Sequence, residues 1–318
     1  MIRYVVLLLF FYLPFVYSIE YPDWFHKYIQ EHNKQYKSDE LDRVYNILKP
    51  KYDHIVGHKG GLKLSLHSFS DSPLKRRLKV RKAKKSKRRK LKKKRIVIPT
   101  HFDWRTKGAV TNPKAQGTCG GCYCFAAIDN LEWWWKKRTG MLQDLSVQQC
   151  IDCTNKFVKD ADGCDGGLME DLYQLATTKP LSVASYDPFK MHTGTCPLLP
   201  PTGKKIKVKT YHTMSDEYHS PIEAELASNL IQYGPIPVGV DSKSMNFELY
   251  RGGILKASHC GKDIDHAVTV VGYTPQYWIV KNSWGNYWGE QGFFRIERGK
   301  NACGLNSYSS FVTNAVVL

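Results

Sequence analysis

No acidic residue occurs between Lys75 and Arg95, although that stretch carries 16 Lys or Arg in 21 positions. It has no aromatic residue either, and so lacks the interleaved rings on which nucleic-acid bases stack. Residues 1–74 hold 9 basic and 8 acidic groups and residues 96–318 hold 22 and 21, so nearly all of the net charge of +18 sits in this run. A segment of that composition buries no apolar surface and repels itself. It predicts an extended, disordered linker with no nucleic-acid role, although contact with a heparan-like polyanion is open to it. Other absences narrow the class further. There is no internal repeat, which argues against a solenoid or propeller. No Asn-x-Ser/Thr sequence is present, so no N-glycosylation acceptor marks the surface. No second long apolar run follows Val5–Val16, and that run is too short for a comfortable transmembrane helix.

What is present begins with that run. Arg3, the apolar stretch, and the small residues Val16 and Ser18 have the form of a secretory signal cleaved after Ser18. The expected destination is the secretory pathway, ending in a lysosome-like compartment or outside the cell, where disulfides persist. The chain has nine cysteines. Four bridges would leave one thiol over, which calls for a separate role.

The basic run divides the rest of the molecule. Before it, Trp24 to His58 mixes apolar and charged residues in the manner of amphipathic helix, with Pro50 expected to interrupt or end one. After it, Cys122 to Arg138 reads as a helix stopped by Gly140. "HAVTVVGY", "YWIVKNSW" and "GFFRIER" are β-rich runs separated by turn residues. A helical half followed by a sheet half predicts an α+β body of two lobes with a cleft between them. Trp133, Trp134 and Trp135 project 100° apart on the predicted helix. Core packing for some and partial exposure for another is expected.

The densest chemistry lies in "QGTCGGCYCF", Gln116 to Phe125. "CGGC" here and "CIDC" at Cys150–Cys153 would suit a zinc site by spacing alone. A redox pair is a further alternative, although no βαβ pattern surrounds the motif. Nucleophilic catalysis fits best. A thiol at a helix start is acidified by the amide dipoles, and it needs a His to take its proton and a third group to orient that ring. His266 in "DIDHAVTVVGY" and Asn282 in "VKNSWGNYWG" supply candidates downstream.

"DWRTKGAV", "QGTCGGCY", "GCDGG", "DHAV", "KNSWG" and "WGEQGFFRI" stand in the order found in papain-like enzymes. On these motifs Ile98–Leu318 resembles a papain-family, cathepsin L-like cysteine protease. His266 lies 144 residues past Cys122, within the family spacing, and Asn282 lies 160 past it, slightly beyond. The resemblance implies a two-lobed fold, with a helical left lobe, a β-barrel-like right lobe and the cleft between. It makes Cys122 the nucleophile, His266 its acid/base partner and Asn282 the amide orienting the ring. Gln116, with the Cys122 backbone N–H, becomes the oxyanion hole, and Trp284 the shield over the His–Asn hydrogen bond. Gly166, Gly167, Leu168, Met169, Gly239, Ile264, Ala267, Trp284 and Tyr308 become substrate-binding. The pocket so lined predicts a medium-sized apolar side chain two residues into the acyl side of the cut. No acid is expected there to hold Arg, and Tyr308 at the base should shorten the pocket. Gly121 and Tyr123 replace common family residues, Gly121 adding backbone freedom beside the nucleophile.

The resemblance also implies bridges Cys119–Cys164, Cys153–Cys196 and Cys260–Cys303. Cys124 and Cys150 then remain, where relatives carry small or aliphatic residues on helices that pack alongside. A fourth bridge between them closes the arithmetic, with Cys122 the one free thiol. "WFHKYIQEHNKQY" and "HSFSDS" resemble the family's inhibitory propeptide. The expected organisation is therefore a signal peptide at 1–18, a propeptide at 19–74, a basic linker at 75–95 and a peptidase domain at 96–318. Cleavage is expected between about Lys90 and Ile98. The reading is a monomeric cysteine endopeptidase made as a zymogen. It acts on peptides and proteins through a thioester, has its own propeptide as inhibitor, and needs no metal or cofactor. Exopeptidase activity and a non-catalytic polyanion-binding homologue are the alternatives.

Overall fold

Eighteen residues from Cys122 to Thr139 form the central helix of the fold, α3, whose body is buried from Cys122 through Ile128 and again from Asn130 through Trp135. The computed structural model describes residues 21–72, 96–159, 161–198, 202–215 and 223–318. The expected signal peptide and the whole basic linker lie outside the described residues. Among the described residues, no helix is long and apolar enough to cross a membrane.

Residues up to Tyr45 form one compact unit. Its α1 (Asp23–Glu31) buries Phe25 and Tyr28. Phe25 and Tyr45 meet edge to face at 5.5 Å, and Trp24 stacks on Tyr45 at 5.7 Å. Four aromatic residues, with Tyr21, thus supply a local core. The expected break at Pro50 is corrected: α2 runs from Ser38 to Gly57 with Pro50 inside it. Proline removes one helical hydrogen bond. Burial of Val44 and Leu48, and the ion pair from Lys51 to Glu248 at 2.7 Å, hold the helix on both sides of that loss.

The second unit runs from Asn46 to Leu318. After α2 come β1 (Lys63–Leu64) and β2 (Phe102–Asp103), then α3, α4 (Val147–Phe157) and α5 (Met169–Thr178). The remainder is β3 (Ile206–Ser215), α6 (Glu223–Tyr233), β4 (Ile236–Val240), α7 (Met245–Glu248), β5 (Tyr250–Gly252), β6 (Ile254–Leu255), β7 (His266–Tyr273), β8 (Tyr277–Lys281), β9 (Phe293–Glu297) and β10 (Tyr308–Val317). One sheet follows the order β3-β10-β4-β7-β8-β9-β6, with β2 added beside β7. It ends at β3 and β6, so the barrel-like lobe is an open sheet; β6 and β9 are the parallel pair within it.

Two apolar cores divide residues 96–318. One gathers α3, α4 and α5 with residues of β3 and β10; the other lies among β4, β7, β8 and β9 with Phe247, Trp284 and Trp288. The protein is thus a two-lobed α+β fold. α3 ends where expected: Gly140 takes φ 81°, and its N–H bonds to the Lys136 carbonyl. The tryptophan expectation is corrected, since Trp133, Trp134 and Trp135 are all buried, at 5%, 3% and 4% exposure. A helix enclosed on all sides can bury three successive rings. Trp133 packs edge-on to Trp104, and Trp134 donates its indole N–H to the Val312 carbonyl.

Candidate active site

Cys122 opens α3, so the first-turn amides direct their dipoles at its sulfur. It is the free cysteine of the chain and is fully buried. Burial pushes the thiol up to about 12; the backbone at Ala267 opposes that rise and the Asp265 carboxylate adds to it. Ala267 directly follows His266 on β7, so the thiol abuts the strand that carries the imidazole.

His266 Nε2 lies 2.8 Å from Asn282 Oδ1. The same oxygen accepts from the Ser283 backbone N–H at 2.8 Å, which identifies it as the amide oxygen. An oxygen only accepts, so His266 carries a proton on Nε2. Asn282 is pinned by its own N–H to the Gly292 carbonyl at 2.9 Å. Trp284 covers the pair, its indole 5.0 Å from the imidazole at 30° and only 2% exposed. That cover keeps water from competing for the His–Asn bond.

Gln116 is buried and held at three atoms. Its backbone N–H donates to the Ser283 carbonyl at 2.8 Å, its Oε1 accepts from the Ser283 hydroxyl at 2.6 Å, and its Nε2 donates to the Cys119 carbonyl at 2.8 Å. Nε2 carries two hydrogens, one of which goes to the Cys119 carbonyl.

Leu168, Met169, Ala267 and Tyr308 share the apolar cluster that contains Cys122, and Ile264 packs against it. Gly239 on β4 pairs across the sheet with Ala267. Trp284 belongs to the other cluster. Gly166 takes φ 122°. Gly167 lies flat on Tyr123, where a Cβ would come within 2.7 Å of the ring. Gly121 has φ −84°, open to any residue, and a Cβ there would meet the Cδ1 end of Ile151 at 2.9 Å. The Tyr308 hydroxyl donates to the Glu170 carboxylate.

The structure contains disulfides Cys119–Cys164, Cys124–Cys150, Cys153–Cys196 and Cys260–Cys303. The "CGGC" and "CIDC" sulfurs other than Cys122 are therefore used in bridges, which removes the zinc alternative at that position. Among the described residues no other group of three His, Cys, Asp or Glu is arranged for a metal.

Several residues behind the site were not singled out from sequence. Glu132, fully buried on α3, accepts from Lys114 at 2.8 Å, from Thr111, and from the Leu145 backbone N–H at 3.0 Å. Burial raises its carboxyl, and the Lys114 and Lys281 ammonium groups oppose the rise. Asp129, one turn earlier, faces β7 and β8. The available signal was helical spacing: Asp129 follows Cys122 by seven residues, two turns along the same face.

A sequence model described as "Papain family cysteine protease" matches residues 98–313. Rat (Rattus norvegicus) cathepsin S is 38% identical over 222 residues, covering 68% of this chain and 66% of the relative. A cathepsin L-like proteinase of Fasciola hepatica is 38% identical over 220 residues, covering 67% and 65%. The chain thus spans just under two thirds of the length of these curated relatives. Among solved structures, digestive procathepsin L 3 of Tenebrio molitor larval midgut superposes with a TM-score of 0.76 at 26% identity, covering 92% of this chain and 98% of that one.

Proposed function

The chain belongs to the papain family of cysteine proteases, and from that premise we propose that it is a cysteine endopeptidase made as a zymogen. The observation that carries the proposal is the 2.8 Å bond from His266 Nε2 to Asn282 Oδ1, on the strand pair that abuts the one free thiol. The orientation leaves Nδ1 to take the proton of Cys122. The thiolate attacks the peptide carbonyl, and negative charge gathers on its oxygen. Gln116 Nε2 and the Cys122 backbone N–H receive that charge, a contribution of about 3–4 kcal/mol to barrier lowering. The imidazolium returns its proton to the departing amine as the C–N bond breaks, leaving a thioester. Water, deprotonated by His266, then attacks the thioester and releases the acid, restoring the thiol.

Residues 19–74 act as the inhibitory segment and 96–318 as the peptidase, with cleavage near 90–98 and secretory delivery to a lysosome-like or extracellular destination. The resemblance to procathepsin L 3 over nearly its full length supports this organisation. So does the docking of residues 46–72, where β1 pairs antiparallel with β5 and His67 bonds to the Glu248 carbonyl. The pocket of Leu168, Met169, Gly239, Ile264, Ala267 and Tyr308 takes an apolar side chain. The basic run holds a polyanion before it is cut away.

A fluorogenic peptide blocked at both ends, with Leu or Val two residues before the scissile bond, tests the activity. Thiol-dependent internal cleavage that disappears in Cys122→Ser is expected. Removal of residues only from free ends would support an exopeptidase.

A further inference from the structure

The three candidate catalytic side chains come from different elements: Cys122 from α3, His266 from β7, and Asn282 from the end of β8. Catalysis by a thiol–imidazole pair depends on the gap between the first two. A misplacement of about 1 Å costs on the order of a hundredfold. Something must fix α3 against the β7–β8 ladder.

One carboxylate makes that connection. Lys281 Nζ donates to Asp129 Oδ1 at 2.6 Å, and the Thr269 hydroxyl donates to Asp129 Oδ2 at 2.8 Å. Thr269 and Lys281 stand directly opposite each other in the β7–β8 register. Both oxygens of one helical carboxylate are therefore gripped by one cross-strand pair. The positions along each element are telling. Asp129 lies two turns below Cys122 on the same helix face, Thr269 is three residues past His266, and Lys281 directly precedes Asn282. Each side of the grip thus leads within a short stretch of rigid backbone to one candidate catalytic group.

The grip is buried: the Lys281 side chain is 3% exposed and that of Asp129 11%. Lys281 also donates to the Thr111 hydroxyl at 2.9 Å, which in turn donates to Glu132, itself paired with Lys114. Lys114 carries the chain of contacts on to Asp144 at 2.7 Å. A small cavity beside it is lined by Lys114, Asp129, Thr269, Lys281, Asn282 and Ser283, among others. Asn282 Nδ2 is buried there without a partner among the described residues. The backbone of Asn282 is held by the Gly292 carbonyl on one side and directly follows Lys281, which Asp129 anchors, on the other.

We propose that Asp129 is a positioning residue, which sets the thiol–imidazole gap by clamping Lys281 and Thr269 against the nucleophile's helix. The proposal rests on the endopeptidase reading of the site. It names a residue two turns from the chemistry as the determinant of turnover.

Wild type, Asp129→Asn, Asp129→Glu, Thr269→Val and the double variant Asp129→Asn/Lys281→Met are each produced as the full chain and brought to activity under identical conditions. Hydrolysis of a doubly blocked peptide gives kcat and KM, and the rate of Cys122 alkylation by iodoacetamide is followed with pH. Asp129→Asn should lower kcat about 10–100-fold with KM changed less than about threefold. Its alkylation profile should lose the neutral-pH thiolate plateau. Asp129→Glu should recover part of kcat, and Thr269→Val should lose less than Asp129→Asn. The double variant leaves no ammonium stranded and so keeps the fold, yet should keep the kcat deficit. A folded double variant with wild-type kcat and an unshifted alkylation profile overturns the proposal. A wild type with no thiol-dependent hydrolysis overturns the endopeptidase reading instead.

Discussion

Cys124 and Cys150 are joined across α3 and α4 with their Cα atoms 5.9 Å apart, two residues from the nucleophile and three from the start of another bridge. Both are fully buried. The loop they close spans 26 residues, which by chain entropy stabilises the fold by roughly 3.5 kcal/mol. Cys124→Ala/Cys150→Ala should lose about that much in denaturant unfolding. The unreduced wild-type chain, unfolded in guanidinium, should titrate one thiol. Three titratable thiols would mean that this bridge does not form in solution.

The Tyr308–Glu170 hydrogen bond occupies a carboxylate beside the pocket residues. A hydrogen bond to a charged group is worth about 1.5–3 kcal/mol. With the acid engaged, a medium apolar side chain should be preferred to Arg two residues before the cut. Tyr308→Phe should narrow that preference about tenfold, and Glu170→Gln should not. A peptide-library profile indifferent to Tyr308→Phe would separate this pair from specificity.

Burial governs the Cys122 thiol in the full chain. With its pKa pushed up to about 12, alkylation near pH 8 should run roughly a thousandfold slower than for an ordinary thiol. The sign for stability follows from the same shift. Above the ordinary thiol range, near pH ~8.5, the unfolded chain gives up this proton and the folded chain keeps it. Stability of the full chain should therefore fall between about 8.5 and about 12, and Cys122→Ala should remove that part of the fall.

Glu132 anchors the loop at Leu145 as well as Lys114. Glu132→Gln takes the buried carboxylate from Thr111, the Leu145 N–H and Lys114, which keeps Asp144 at 2.7 Å, at a cost of about 1–3 kcal/mol. Its unfolding midpoint should drop accordingly. A change within about 0.5 kcal/mol would show the pair to be dispensable.

The sequence made α3 legible because Cys122, the apolar run and Gly140 mark its start, body and stop. β7, β8 and β9 were legible as β-branched and aromatic runs between turn residues. Pro50 misled because a single lost hydrogen bond is a local penalty, while Leu48 and Lys51 are held by residues 197 or more positions away in the chain or by the packed core. The three tryptophans misled for a similar reason: periodicity assumes a helix with one wet face, and α3 has none. Candidate catalytic groups could be named from motif order, since their spacing along the chain is distinctive. Asp129 and Lys281 could not, because only the packing of α3 on the β7–β8 pair brings them together, and Glu132 and Glu170 could not, because Thr111, Lys114, Leu145 and Tyr308 reach them from other parts of the chain.

The central claim is that Cys122 is the nucleophile, with its proton taken by His266. Its most direct test is labelling of the activated enzyme with a peptidyl epoxide, followed by peptide mapping by mass spectrometry. We predict a single adduct on Cys122, formed in step with loss of activity and slowed at least about a hundredfold in His266→Ala. An adduct on any other residue, or full labelling with activity retained, would contradict the account.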